Sequence, residues 1–299
     1  MAGTNRWPKY ERDITYSEDS SLNTLETCLP RPESEGDTNR FWVIFIHGGA
    51  WRDPAISASS FRKTQEKLLA APVADSIAGY ASINYRLSPY PSHPTDPSNP
   101  SDPARNATHP NHINDVLAAI LHLQEIYHFE DRYILVGHSC GATLALQVAM
   151  KRYWGSQYES TFALELNVVP PTAIVGVEGI YDIPALVEYH EDQPVYRDFI
   201  VNAFGASGWD TASPTNGDFD DSWPDGKLVV LAHSPNDTLI EAEQAELQRK
   251  ALESQGWKDA GERRVKMFEL GGEHDEVWET GEAAKAIELA VEELSQSRR

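Results

Sequence analysis

The regular alternation of short apolar runs with segments of helical spacing constrains this chain more than any other feature. Five runs are rich in strand-forming apolar residues: FWVIFI (41–46), ASINYRL (81–87), RYILVG (132–137), TAIVGVEG (172–179) and KLVVLAHS (227–234). A sixth, RVKMFEL (264–270), alternates more. Runs of this kind suit strands buried on both faces of a parallel sheet. Between them, apolar residues recur at helical spacing over 60–71, 111–127, 141–153, 240–255 and 276–295. Strand and helix alternating through right-handed crossovers predict a doubly wound α/β fold, a mostly parallel sheet with helices on both faces. Ligands of such a fold bind beyond the carboxyl ends of the strands. ERDITY (11–16) and LNTLETCLP (22–30), ahead of the first core strand, predict an antiparallel edge.

With 299 residues, the chain is long enough to bury a large core, and one domain over 1–299 is expected. Two segments interrupt the alternation. Residues 88–112 carry seven prolines and almost no aliphatic side chains. They cannot continue a helix or a central strand, and a surface insertion is expected ahead of a catalytic lid. Residues 183–225 are rich in Tyr, Phe and Trp between two strands, and a small cap over the site is expected there.

The net charge of -21 argues against nucleic acid or an anionic membrane as partner, because binding polyanions needs clustered Lys and Arg. Two cysteines, Cys28 and Cys140, are too few for a disulfide framework or a Cys-based zinc site. The segment MAGTNRWPKYERD shows no apolar h-region, and nowhere do about 18 apolar residues run together. A cytoplasmic protein is expected, with a homodimer left open.

The chemistry begins at Gly137-His138-Ser139-Cys140-Gly141, a GxSxG pattern placed where a strand ends and a helix starts. A strand-to-helix elbow forces the serine into a strained turn with Oγ exposed. Glycines two positions either side are needed because Cβ atoms there would strike neighbouring chain. Ser139 is the candidate nucleophile. His47-Gly48-Gly49-Ala50-Trp51 follows the first core strand. Its paired glycines let bare amides approach a carbonyl oxygen, so the amides of Gly49, Ala50 and Cys140 are the expected oxyanion hole. In the fold that uses such an elbow, the acid and then the base follow the serine in the chain.

Three histidines follow Ser139. His274 sits after the last strand and is the expected base. His190 lies in the aromatic insert, and His233 at a strand end suits a buried hydrogen bond. Asp237, after the preceding strand, is the expected acid. Asp182 is its rival, and a helix N-cap is the plainer role for either.

These residues resemble the α/β-hydrolase superfamily and, more narrowly, the kynurenine formamidases (arylformamidases) of fungal type. HGGAW (47–51) is similar to that family's HGGxW oxyanion signature; GHSCGA (137–142), HSPND (233–237) and GGEHDEVW (271–278) complete the match. LNTLETCLP (22–30) and INYRLSP (83–89) extend it over nearly the whole chain. The resemblance implies hydrolysis of N-formyl-L-kynurenine, a small aromatic formamide, to L-kynurenine and formate in tryptophan degradation. It implies a Ser-His-Asp triad, a formyl-enzyme and no metal or organic cofactor. Trp51 and Trp278, beside the oxyanion and base segments, are candidates to line an aromatic pocket. A carboxylesterase or a secondary-metabolite acyl hydrolase would use the same residues. A ligand-binding module of this fold would have lost a triad member, and here all three are present.

Overall fold

The computed structural model describes residues 7–32, 39–150 and 168–296. Its strands are β1 (Lys9–Thr15), β2 (Thr24–Leu29), β3 (Phe41–Ile46), β4 (Ile77–Ile83), β5 (Tyr133–His138), β6 (Ala173–Val177), β7 (Leu228–His233) and β8 (Arg264–Glu269). They form one sheet in the order β1-β2-β4-β3-β5-β6-β7-β8. β1 and β2 pair antiparallel, and β2 runs antiparallel to β4. The pairs from β4 through β3, β5, β6 and β7 to β8 are parallel. The expected α/β-hydrolase architecture and its antiparallel edge are both present.

Every residue of β3, β5 and β6 is buried, because alternate side chains enter two separate cores. Ile44, Ile46 and Leu135 join one cluster with Ile113, Val116 and Ile120 of helix α2 (Asn111–Tyr127) and Leu144 of α3 (Cys140–Val148). Val43, Phe45 and Val136 point the other way. They meet Leu68 of α1 (Arg62–Ala70) and Ile287 and Val291 of the carboxyl-terminal helix (Glu282–Gln296). Each such fully buried aliphatic side chain contributes about 1.5–3 kcal/mol of transfer free energy.

Several element boundaries differ from expectation, most of them by a residue or two at an end. The strand expected over 81–87 spans Ile77–Ile83, because its partner β3 ends at Ile46, which stands opposite Ile83. Past it, Asn84 turns the chain by accepting the Ala58 amide (2.7 Å) and donating to Thr24 Oγ1 (3.0 Å). The helix expected over 276–295 is broken at Gly281, whose φ of 92° no regular helix accommodates. The helix expected over 141–153 is seen as α3, and 151–153 lie outside the described residues.

Residues 183–225 form helices α4 (Ile183–Tyr189) and α5 (Pro194–Phe204) and several single turns. Tyr196, Phe199 and Ile200 of α5 are buried and join the core cluster that holds α2 and α3. Among the described residues, no helix is long and apolar enough to cross a membrane.

Candidate active site

The carboxyl ends of the parallel strands deliver five segments to one rim. Ser139, directly after β5, has φ 55° and ψ -125°, a conformation disfavoured for a residue with a side chain. The surroundings enforce it. A Cβ on Gly137 would lie 2.2 Å from the Gly141 carbonyl oxygen, and one on Gly141 would lie 2.3 Å from that of Ile46. The crossing of strand and helix therefore requires glycine at both positions. The Ser139 amide donates to Val177 O (2.9 Å) and its carbonyl accepts the Ala142 amide (3.0 Å), pinning the elbow from both sides.

After β3, three consecutive residues have positive φ: Gly49 (93°), Ala50 (50°) and Trp51 (58°). Such a run turns the chain sharply, and Ala50 and Trp51 hold this conformation despite their Cβ atoms. Gly49 and Ala50 line the same cavity as Ser139. The Trp51 amide is committed elsewhere, donating to the Cys140 sulfur at 3.2 Å. Burial pushes the Cys140 thiol up to about 11, against the Trp51 amide and other nearby donors, so it stays protonated at neutral pH. Tyr85, buried past the end of β4, donates to His47 O at 3.0 Å and stacks on the His47 ring. Burial lowers the His47 imidazole to about 4, leaving a neutral ring in this support.

His274 and Asp237 come together from the loops after β8 and β7. His274 Nδ1 lies 2.8 Å from Asp237 Oδ2, and the Asp237 side chain is wholly buried. Asp237 Oδ1 accepts the amides of Leu239 (2.8 Å) and Ile240 (2.9 Å). Burial pushes this carboxyl up, but hydrogen bonds from His274 and Glu178, with the His274 charge and the Ile240 amide, hold it well below the usual carboxylate range. The two loops are cross-linked where Ser234 Oγ donates to Gly272 O (2.6 Å) and Thr238 Oγ1 to Glu273 Oε2 (3.0 Å). His274 and Ser139 line one cavity. No hydrogen bond between their side chains occurs among the described residues.

The rivals lie elsewhere. Asp182 caps α4, its Oδ1 accepting the Ala185 amide at 2.9 Å. His190 stacks on Tyr196 and meets Glu241 at 3.1 Å. His233 stands 3.0 Å from the buried Glu178 carboxylate.

The cavity, about 300 Å³, is also lined by Arg52, Tyr90, Tyr196 and Phe199. Tyr90 belongs to the proline-rich loop, and Tyr196 and Phe199 to α5, so both interrupting segments contribute walls. Arg52 ties them together: its guanidinium pairs with Asp198 of α5 at 2.5 Å and lies 4.0 Å above the Tyr90 ring.

Trp51 and Trp278 require correction, because neither lines this cavity. Trp51 is fully buried, edge-on to Phe204, since the left-handed turn sends its side chain inward. Trp278 packs on the opposite core with α1, and its carbonyl accepts from Thr64 Oγ1.

Two residues at the site escaped sequence reasoning. His138 Nε2 donates to His274 O at 3.0 Å, tethering the base loop to the elbow; burial and the neighbouring His274 lower its imidazole to about 3. Its signal was its place next to Ser139. Glu178 is fully buried beside Asp237, and its signal was a lone acid closing an apolar run. Donor atoms of Glu178, Asp237 and His274 lie within 4.8 Å of one another, as do those of His138, His274 and Asp275. The first trio is joined by the His274–Asp237 hydrogen bond, and in the second His138 Nε2 already donates to the His274 carbonyl.

The BD-FAE family model matches residues 31–252. A "kynurenine formamidase-like hydrolase fscH" of Fusarium equiseti is 41% identical over 94% of this chain and 93% of its own. A "kynurenine formamidase avaC" of Aspergillus versicolor is 35% identical over 89% and 94%, and a kynurenine formamidase of Meyerozyma guilliermondii is 32% identical over 85% of each. Among solved structures, a truncated carbohydrate esterase from gut microbiota superposes with TM-score 0.70 at 18% identity, covering 98% of this chain and 99% of that one. Esterase B of Lactobacillus rhamnosis superposes with TM-score 0.68 at 17% identity, over 98% and 89%. Fold and sequence converge on one assignment: the chain is a member of the kynurenine formamidase family of α/β-hydrolases.

Proposed function

We propose that this protein hydrolyses the formamide of N-formyl-L-kynurenine to L-kynurenine and formate, in tryptophan degradation, through Ser139, His274 and Asp237. The observation that carries this reading is the 2.8 Å contact of His274 Nδ1 with Asp237 beside a strained Ser139 on one cavity wall. Asp237 fixes the tautomer, which leaves Nε2 to take the serine proton. Ser139 Oγ attacks the formyl carbon, and the amides of Gly49, Ala50 and Cys140 receive the oxyanion; one such donor is typically worth about 2.7–4 kcal/mol. His274 returns its proton to the departing aniline nitrogen, breaking the C–N bond and leaving a formyl-enzyme. Water, deprotonated by the same imidazole, then releases formate. No step calls for a metal or organic cofactor.

The aromatic walls Tyr90, Tyr196 and Phe199 suit an aryl ring, and Arg52 is the cationic lining residue that would meet a substrate carboxylate. Arg52→Met is expected to raise KM for N-formylkynurenine about ten- to hundredfold, the worth of a hydrogen bond to a charged group. Formanilide, which has no carboxylate, should show little change in KM. Equal effects on both substrates would remove Arg52 from recognition. The partner is a small molecule, neither nucleic acid nor membrane, in a cytoplasmic protein of one domain that a homodimer would also suit.

The deciding experiment measures formate release from N-formylkynurenine against turnover of short p-nitrophenyl esters. A kcat/KM favouring the formamide supports the reading; a clear preference for the esters overturns it.

A further inference from the structure

Glu178 stands one residue beyond β6, with a left-handed φ of 50° and no exposed surface. Its Oε1 accepts the Ser234 amide at 3.2 Å, and its Oε2 lies 3.0 Å from His233 Nδ1. Its carboxylate shares one cluster with Asp237 and His274, their ligand atoms within 4.8 Å of one another. The triad as described leaves Glu178 without a role. Yet a buried acid on strained backbone is costly to keep.

Two buried carboxylates within 4.8 Å of each other repel, which favours keeping one of them protonated. The charge belongs on Asp237, which faces the His274 N–H and two backbone amides. Glu178 has one amide donor and a neighbouring imidazole, His233, whose hold on a proton burial weakens. The other titratable groups around the pair are His274 and His138, and the buried Tyr181 and Tyr196. Burial first, then the hydrogen bond and charge of Asp237, push the Glu178 carboxyl up to about 9.

We propose that Glu178 is a positioning residue, a neutral carboxylic acid whose O–H donates to the Asp237 carboxylate and so orients it toward His274. This rests on the Ser139–His274–Asp237 reading. A donor at this place does two things for the triad. It fixes the Asp237 plane, and it lowers the basicity of that carboxylate, so that the proton shared with His274 stays on the imidazole.

The test uses the full chain with Glu178→Gln and Glu178→Ala. The readouts are the pH dependence of Ser139 labelling by a fluorophosphonate and the melting temperature against pH. Glutamine keeps a neutral donor, so E178Q is expected to label within about threefold of wild type with its acid limb unmoved. E178A should label about ten- to hundredfold more slowly, the worth of a hydrogen bond to a charged group. The Tm of E178Q should exceed that of wild type by a margin that widens from about pH 5 to about pH 8. Over that range, unfolded Glu178 ionises while the folded carboxyl stays protonated, so only wild type loses stability.

An acid limb of E178Q displaced to lower pH, as removal of a negative charge would cause, overturns the proposal. So does a constant Tm difference, or E178A labelling at the wild-type rate. Absence of formate release with normal labelling would fail the formamidase reading alone. Absence of any labelling would fail the triad, and the Tm arm would still report the protonation of Glu178.

Discussion

Ser139→Ala is expected to lower kcat by about six orders of magnitude, the loss that removal of the nucleophile causes in subtilisin, with little change in substrate affinity. The loss is large because the hydroxyl forms the bond that breaks the formamide, and no neighbouring side chain can substitute. Affinity should survive because the cavity walls, Tyr90, Tyr196, Phe199 and Arg52, do not depend on that oxygen. The fold should survive too: the elbow is held by the Ser139 backbone, through Val177 O and the Ala142 amide, and alanine pays a similar cost at φ 55°. His274→Ala should be comparably severe. The double variant should be scarcely worse than either single one, since residues that act as a unit are not additive. Formate release and fluorophosphonate labelling measure both. Turnover by Ser139→Ala within about a hundredfold of wild type would remove the serine from the chemistry.

Asp237→Asn is expected to lower kcat by about four orders of magnitude, as the equivalent change does in the serine proteases. Asparagine fits the same space, but its amide can present a donor to His274 Nδ1. The ring would then carry its proton on Nε2 and could not accept one from Ser139. Asp182→Asn, by contrast, should leave turnover within about tenfold. It touches an N-cap, where the loss is about 1 kcal/mol of stability at most. Reversal of that ranking would reassign the acid.

The Asp237 carboxyl also has a stability signature. Its folded pKa is depressed, so its contribution is present above the unfolded carboxylate value of about 3.9 and is lost as pH falls through the folded value. Thermal melts below about pH 4 should therefore show a steeper acid loss in wild type than in Asp237→Asn.

Much of the molecule was legible because its periodicities are local. Near-continuous Val and Ile runs mark strands buried on both faces, and β3, β5 and β6 are buried at every position. The elbow glycines were legible for a steric reason that the packing bears out at Gly137 and Gly141. The boundaries of β4 were not legible. Where β4 stops depends on its neighbour β3, and Tyr85 and Leu87 are buried beyond the strand for tertiary reasons.

The aromatic contacts show the same limit. Trp51 and Trp278 adjoin site segments in the chain, but a left-handed turn buries one and the opposite core claims the other. Tyr90, Tyr196 and Phe199, from the two interrupting segments, line the cavity instead.

From residue order alone came the α/β alternation, the elbow serine, the glycine pair after the first core strand, and a shortlist of acids and imidazoles. Those are one-dimensional properties: periodicity, turn sterics and chain order. Only the folded chain decided which carboxylate meets His274, that the His138 ring supports its loop, and that a second buried acid stands behind Asp237. These partners lie 37 and 136 residues from His274 in the chain. A hydrogen bond depends on tenths of an ångström, which the packing of the sheet sets and no local pattern encodes.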